Sequence, residues 1–254
     1  MLLSIVIPMR NAEPFIAATL RSLLEQTGVE MEILVVDDGS TDGSAAIVDS
    51  FGDPRIRRIP GPRRGISAAF NTGLAAARGE FLCRCDADDL YPPARLQRQL
   101  AFLREHPEFG AVCGSYKTVD ARLKPVVAHG ADLPAGEITG ELLSGRGRSH
   151  MCAYLFRTEL LRRIGGCREW FETSEDADLQ FRLAETTRIW FDPDCAYLYR
   201  LHDASITHAQ RNARRKFFEQ CAVRFLEQRR TSGMDDLQRN SPTLPPEGEE
   251  NVAR

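Results

Sequence analysis

Apolar residues along this chain fall into short dense runs separated by stripes at helical spacing. Residues 2–7 (LLSIVI), 31–36 (MEILVV) and 81–85 (FLCRC) are nearly continuous apolar runs, the pattern of strands covered on both faces. The first is rich in β-branched residues, and Pro8 is expected to stop it. Ile16, Leu20, Leu23 and Leu24 make one stripe of a helix expected from Asn11–Pro14 to about Gln26, with Gly28 ending it. Ile47, Val48 and Phe51 mark a second helix, for which Ser40 or Thr41 is the expected N-cap. A short strand near 56–59, a loop carrying Gly61, Pro62 and Gly65, and an Ala-rich helix over 66–77 follow. Leu96, Leu100 and Leu103 predict a helix over 92–105, and residues 110–115 (GAVCGS) a further buried strand.

Strand and helix therefore alternate, and each helix must cross back over the sheet to reach a parallel neighbour. The expected fold class is α/β, a Rossmann-like three-layer α/β/α arrangement with a mostly parallel central sheet. From 116 to 150 the pattern weakens. Pro125, Pro134 and several glycines predict hairpins and loops, with a short helix near 137–143. This C-terminal half reads as an appended acceptor-side region, with the division near residue 115. Residues 195–202 (CAYLYRLH) predict a strand ending in His202. From Thr207 to Arg230 a helix is expected, with Phe217, Phe218, Cys221, Phe225 and Leu226 on one face. Arg211, Arg214, Arg215, Lys216, Arg224, Arg229 and Arg230 make its other face basic. Packing on the core is the first expectation for this helix, and peripheral docking on anionic lipid the second. Residues 231–254 are polar, carry Pro242, Pro245 and Pro246, and are expected to be disordered.

Composition narrows the classes. At 254 residues, 43% hydrophobic and 27% charged, the chain is of ordinary globular make-up. A net charge of -3 gives no electrostatic reason to expect nucleic acid. No stretch approaches the ~20 apolar residues of a membrane span. The N-terminus lacks a basic leader and breaks at Pro8, so it does not read as a signal peptide. Seven cysteines show no disulfide framework. Cys83 and Cys85 should share one strand face as buried reduced thiols, which points to a reducing, cytoplasmic compartment.

The apolar run at 81–85 ends in Asp86, Ala87, Asp88 and Asp89. Strand alternation would turn Asp86 and Asp88 the same way while strand geometry lasts. Carboxylates packed this closely repel unless a cation lies between them, and hard oxygen ligands suit Mg²⁺ or Mn²⁺ completed by substrate phosphates. The structural alternative is an acidic turn in which Asp89 caps a helix before Pro92 and Pro93. A second acidic pair, Asp37–Asp38, ends the second strand, and Pro8, Met9 and Arg10 follow the first. Ligands of parallel sheets gather at that rim, so two acidic strand ends there favour a site. Glu175, Asp176 and Asp178 open a helix carrying Leu179, Phe181 and Leu183. The helix dipole alone would favour acids in that first turn. A general base held beside the metal site is the functional reading.

Taken together, Pro8-x-Arg10-Asn11, VVDDGSTD at 35–42, ARGEF at 77–81, DADD at 86–89 and SEDADLQFRL at 174–183 resemble the family 2 glycosyltransferases of the GT-A fold, over about residues 2–205. The resemblance implies an inverting, metal-dependent enzyme that moves a sugar from a nucleotide-diphosphate donor, UDP-linked in the first instance, to a hydroxyl of a carbohydrate or glycolipid acceptor. Pro8, Arg10 and Glu13 would line the nucleotide pocket, and Asp38, with Asp37 beside it, would accept the ring N–H of a uracil. Arg64 would supply positive charge. Asp86 would contact the ribose or the metal, and Asp88 would hold the Mn²⁺ or Mg²⁺, with His202 facing the metal or diphosphate. Asp176 would be the base, Glu175 an acceptor-binding neighbour, and Arg148 and His150, in the basic loop 145–151, further acceptor contacts. Many relatives carry an aromatic where Arg10 stands and an Arg where Phe70 stands. The QxxRW signature of processive synthases is absent, since Gln180 is followed by Phe181 and Arg182, which suits single addition. A sugar nucleotidyltransferase is the alternative in another reaction class, but such enzymes place a glycine-rich loop after the first strand, and residues 8–13 hold no glycine. A non-catalytic nucleotide-sugar-binding relative is the third reading.

Overall fold

In the computed structural model, which describes residues 1–202 and 213–245, the apolar runs join one nine-stranded sheet. Four parallel strands make its first half: β1 (Leu2–Met9), β2 (Glu30–Asp37), β3 (Ile56–Pro60) and β4 (Phe81–Arg84). Between them run α1 (Ile16–Leu24), α2 (Ser44–Ser50) and α3 (Ile66–Ala76). Next come α4 (Arg95–Glu105), β5 (Phe109–Val119), β6 (Pro125–His129), β7 (Gly136–Glu137) and α5 (Thr139–Leu142). The chain closes with β8 (Tyr154–Arg157), α6 (Thr158–Arg163), α7 (Glu175–Ala184), β9 (Arg188–Arg200) and α8 (Ala213–Ser232). The sheet order is β3-β2-β1-β4-β8-β5-β9-β7, with β6 paired to β5. β8 runs antiparallel to both β4 and β5, whereas β5 and β9 are parallel. The sheet is continuous through residue 115, which lies inside β5, so both halves of the chain share one framework.

Alternation along the strands separates two cores. Leu3, Ile5, Ile7, Ile33, Val35 and Cys83 pack against α1, α2 and α4. Val6, Leu34, Val36 and Leu82 face α3, and the same core continues under α6, α7 and α8. This is the expected three-layer arrangement, and Cys83 and Cys85 share one face as anticipated.

Several boundaries differ from expectation for local reasons. Pro8 lies within β1. The Val6 carbonyl accepts the Cys85 N–H, so alternate β1 residues address β4. Pro8 falls on that side beyond the last β1–β4 pair, Val6↔Arg84, where its missing N–H costs no ladder bond. α1 starts at Ile16 because Asn11 takes φ 52 and the Ala12 carbonyl opens the first turn. Neither Ser40 nor Thr41 caps α2. Asp42 accepts the Ser44 N–H at 3.0 Å, and Glu13 accepts the Gly43 N–H at 2.9 Å. α4 begins at Arg95, and β9 starts seven residues before the expected 195. β8 and α6 were not foreshadowed by periodicity.

The polar segment after α8, expected to be disordered from 231, is packed in its described part. Asp235 is fully buried between Arg168 and Arg229, each at 2.6 Å. Residues 207–212, where the last helix was expected to begin and Arg211 stands, and residues 246–254 lie outside the described residues. Among the described residues no helix is long and apolar enough to cross a membrane.

Candidate active site

The acidic stretch at the end of β4 is not a continuation of the strand. β4 stops at Arg84, and the Asp89 N–H bonds to the Asp86 carbonyl at 3.2 Å, closing a turn. Alternation no longer governs the side chains, so Asp86 and Asp88 take different partners, against the sequence expectation. Asp86 accepts the Arg84 Nε–H at 2.7 Å. Asp88 meets His202, Oδ2 to Nε2, at 2.9 Å. Asp89 does not cap α4. It accepts the Tyr197 hydroxyl at 2.7 Å and the Arg200 N–H at 2.7 Å. Leu90 and Leu198 also exchange backbone bonds, so β9 pins the turn against the sheet. Burial, reinforced by the neighbouring Asp88 and Asp86 charges, pushes the Asp89 carboxyl well up.

Arg84 is the residue the sequence reading missed. Its guanidinium is 3% exposed and bridges the two acidic motifs, donating to Asp86 and, through Nη1 at 2.9 Å, to Glu175 of α7. Burial opposes ionisation of Asp86, but Arg84, with His150 behind it, overcomes that and holds the carboxyl below its usual range. Burial wins at Glu175, where the adjacent Asp176 adds repulsion and the carboxyl is raised despite Arg84. The available signal was a charge interrupting an otherwise apolar run, FLCRC. An arginine is driven into such a strand only if buried carboxylates meet it.

Asp176, next to Glu175 in the first turn of α7, is half-buried. Burial chiefly, and then the Asp176 charge, raise the hydroxyl of Tyr116 on β5. The His150 ring lies 6.2 Å from that of Tyr116 and is stacked on Tyr197 at 5.8 Å. Its ring, the Asp86 carboxylate and the Cys152 thiol gather within 4.8 Å of one another. Arg148 is not free to meet an acceptor. It binds Glu141 through Nε at 2.7 Å and Nη2 at 2.5 Å, gives Nη1 to the Pro134 carbonyl at 2.9 Å, and lies over Phe191.

On the first-strand rim the loops after β1 and β2 are laced together. Asn11 accepts the Thr41 N–H at 2.8 Å and donates its own N–H to Ser40 at 3.0 Å. Glu13 is committed to Gly43 in the same lacing, while Pro8 is buried and Arg10 exposed. Asp37 accepts the Ser40 N–H at 2.9 Å and lies 3.9 Å from Arg58. Asp38 is buried and accepts the N–H groups of Arg63 and Gly65, at 2.6 and 2.7 Å. It thereby shapes the loop before α3. A Cβ on Gly61 would come within 2.8 Å of the Asp38 Cα, so only glycine permits this approach. Arg64 at the tip pairs with Glu169 at 3.3 Å, and Arg63, beside Gly39, is a second cation the sequence reading passed over.

Asp88 and His202 bring a carboxylate oxygen and an imidazole nitrogen together, the donor types from which a divalent-ion site could be drawn. Their Nε2 and Oδ2 atoms are hydrogen-bonded to each other at 2.9 Å, so an ion held by both would replace that contact. The Phe15 ring, 4.2 Å from the imidazole, holds His202 in place. Asp86 is not part of that pair, since its carboxylate is turned to Arg84.

A mostly parallel sheet with acidic turns at its carboxyl rim and carboxylates presented by a later helix defines a GT-A fold, and comparison with solved structures agrees. A crystal structure of S. aureus TarS 1–349 in complex with UDP-GlcNAc is similar with a TM-score of 0.75 at 24% identity, covering 89% of this chain and 65% of that one. Mannosyltransferase PcManGT from Pyrobaculum calidifontis, in complex with GDP-Man and Mn²⁺, is similar with a TM-score of 0.66 at 24% identity, covering 85% of this chain and 62% of that one. Residues 4–165 match the family described as glycosyl transferase family 2, and the chain belongs to that family. The uncharacterized glycosyltransferase EpsJ of Bacillus subtilis is 34% identical over 218 residues, 81% of this chain and 63% of EpsJ. The chain thus spans less than two thirds of that relative's length.

Proposed function

We propose that this chain is an inverting, metal-dependent glycosyltransferase that moves a sugar from a UDP-sugar to a hydroxyl of a carbohydrate or glycolipid, in the building of cell-surface polysaccharide, lipopolysaccharide or glycolipid. The observation that carries the reading is Arg84, whose guanidinium ties the donor-side Asp86 to Glu175, next to Asp176. UDP-GlcNAc in TarS and GDP-Man with Mn²⁺ in PcManGT support a nucleotide-sugar donor and a divalent ion.

Asp88 and His202 would hold the Mn²⁺ or Mg²⁺, which when bound supplies Lewis-acid stabilisation to the leaving diphosphate. Asp86 would orient the ribose from its fixed bond to Arg84. Asp38 keeps one lone pair on each oxygen after binding Arg63 and Gly65. Those pairs would accept the ring N–H of the base, with Asp37, Pro8 and Arg10 lining the same rim. Arg64 and Arg63, on the loop that Asp38 shapes, would face the diphosphate. Asp176 would take the proton from the incoming hydroxyl, and Glu175 and His150 would position the acceptor. One base acting on a single displacement inverts the anomeric centre. Uracil and thymine share the ring N–H, so the pocket accepts dTDP on the same grounds.

The test is a thermal-shift screen of UDP-, dTDP- and GDP-sugars with and without Mn²⁺, followed by NMR of the product anomer. Stabilisation by UDP-sugar that depends on Mn²⁺, with inverted product, is expected. Pyrophosphate release, or product of retained configuration, would overturn the assignment.

A further inference from the structure

Among the described residues seven large apolar side chains are exposed, and four of them crowd into residues 123–133: Leu123 at 43%, Val126 at 55%, Val127 at 48% and Leu133 at 36%. They belong to the finger formed by the β5–β6 hairpin and the segment after it. Both faces of β6 are open, since Val126 and Val127 are consecutive and both exposed.

The tip of the finger is built at a conformational cost. Leu123 sits at φ 63 in the left-handed region, which a residue with a Cβ adopts only under strain. Asp120 enforces it. Its carboxylate accepts the N–H groups of Arg122 and Lys124 at 2.8 and 2.9 Å, and its carbonyl accepts that of Leu123 at 2.9 Å. Glycine or asparagine would relieve the strain, yet the position presents leucine to solvent between two cations. The Asp120 charge is spent on the backbone, and neither Arg122 nor Lys124 has an ion-pair partner among the described residues. On α8 the reverse holds. Arg214 pairs with Glu172, Arg215 with Glu219, Arg224 with Asp236, and Arg229 with Glu185 and Asp235. That basic face is largely neutralised by the protein itself.

The base of the finger reaches the candidate site. His129 stacks on Tyr116 with ring centroids 4.4 Å apart, and Tyr116 lies 6.2 Å from the His150 ring. Four residues of β6, Pro125 to Ala128, lie between this stack and the turn at 120–124, about 14 Å at about 3.4 Å per residue.

We propose that the β5–β6 finger is a membrane-docking device, seating Leu123 and the exposed valines in the interface of an anionic bilayer while Arg122 and Lys124 contact its headgroups. A second copy of the chain is the poorer occupant. A stable dimer needs roughly 800 Å² from each partner, and an apolar patch of this kind offers on the order of a few hundred. Where the docked surface carries a lipid-linked acceptor, the finger sets its height beneath Asp176, and that consequence rests on the glycosyltransferase reading.

Co-sedimentation of the full chain with phosphatidylcholine vesicles, with and without phosphatidylglycerol, tests the docking without donor or acceptor. Binding that requires phosphatidylglycerol is expected. Leu123→Asp with Val126→Asp, and separately Arg122→Glu with Lys124→Glu, should each weaken it by about tenfold or more at unchanged thermal unfolding. Lys216→Glu on α8 should bind as wild type. Asp176→Asn should also bind as wild type, which separates this inference from the catalytic one. Absence of wild-type binding, equal binding by the finger variants, or a finger-dependent dimer in solution would each overturn the proposal.

Discussion

Arg84 and the carboxylates it joins are where the chemistry of single side chains decides the site. A guanidinium can serve two acids at once because its nitrogens form a rigid planar fork. An ammonium on a flexible stem cannot hold the same two directions. Arg84→Met would leave Asp86 and Glu175 buried without their cation, and removing one partner of a buried pair costs about 3–5 kcal/mol. Arg84→Lys is the more informative change. It should fold and retain donor affinity within about threefold, yet lower kcat by roughly a hundredfold, the cost of a misplacement of about 1 Å at a reacting centre. Calorimetric titration with UDP beside steady-state kinetics separates these effects, and a wild-type kcat in Arg84→Lys would remove Arg84 from the positioning of the base.

At the scale of elements, α8 shows how burial assigns a role that periodicity leaves open. Its apolar stripe was legible: Phe218, Cys221, Phe225 and Leu226 are buried against α7 and the Trp170–Phe171 pair, with Phe217 half-buried. Its basic face was equally legible, but the partners of that face were not. Glu172 and Glu185 lie far away in sequence, and Asp235 sits in the polar segment just past the helix end. Asp235 binds Arg168, and Arg168 in turn binds the buried Asp178 of α7. Burial tends to raise the Asp235 carboxyl, but its bonds from Arg229, Gln238 and Arg168 prevail and lower it. A carboxyl lowered on folding contributes stability that is present above the unfolded value of about 3.9. That stability is lost as pH falls through the folded value. Asp235→Asn should therefore cost about 3 kcal/mol at neutral pH, and the deficit should shrink on acidification below about pH 4. Urea unfolding of both proteins across that range measures it, and a pH-independent deficit would mean the carboxylate charge is not what holds the segment.

Across the whole molecule, the alternation of strand and helix in the first 115 residues announced the layered sheet, because strands buried on both faces leave dense apolar runs such as IVI and ILVV. The motifs at 37–38 and 86–89 follow the carboxyl ends of the co-directional strands β2 and β4, and Arg84 joins the second of them to Glu175 of the motif at 174–178. What escaped was set by distance in sequence. β8 is four residues of antiparallel strand between two parallel blocks, and nothing local in Tyr154–Arg157 specifies insertion between β4 and β5. Arg148 looked free in a basic loop until α5 supplied Glu141. Asp86 and Asp88 looked like one pair until the turn at 86–89 sent one to Arg84 and the other to His202.

The central claim is that Asp176 acts as the base in a site whose donor half is built separately, at the strand ends. Asp176→Asn keeps the shape of the side chain and removes its ability to take a proton. Calorimetric titration of this variant with UDP-sugar and Mn²⁺, followed by a turnover assay with the same sample, tests the claim most directly. Donor affinity equal to wild type with kcat reduced by a factor on the order of 10³ is predicted; turnover at the wild-type rate would contradict the account.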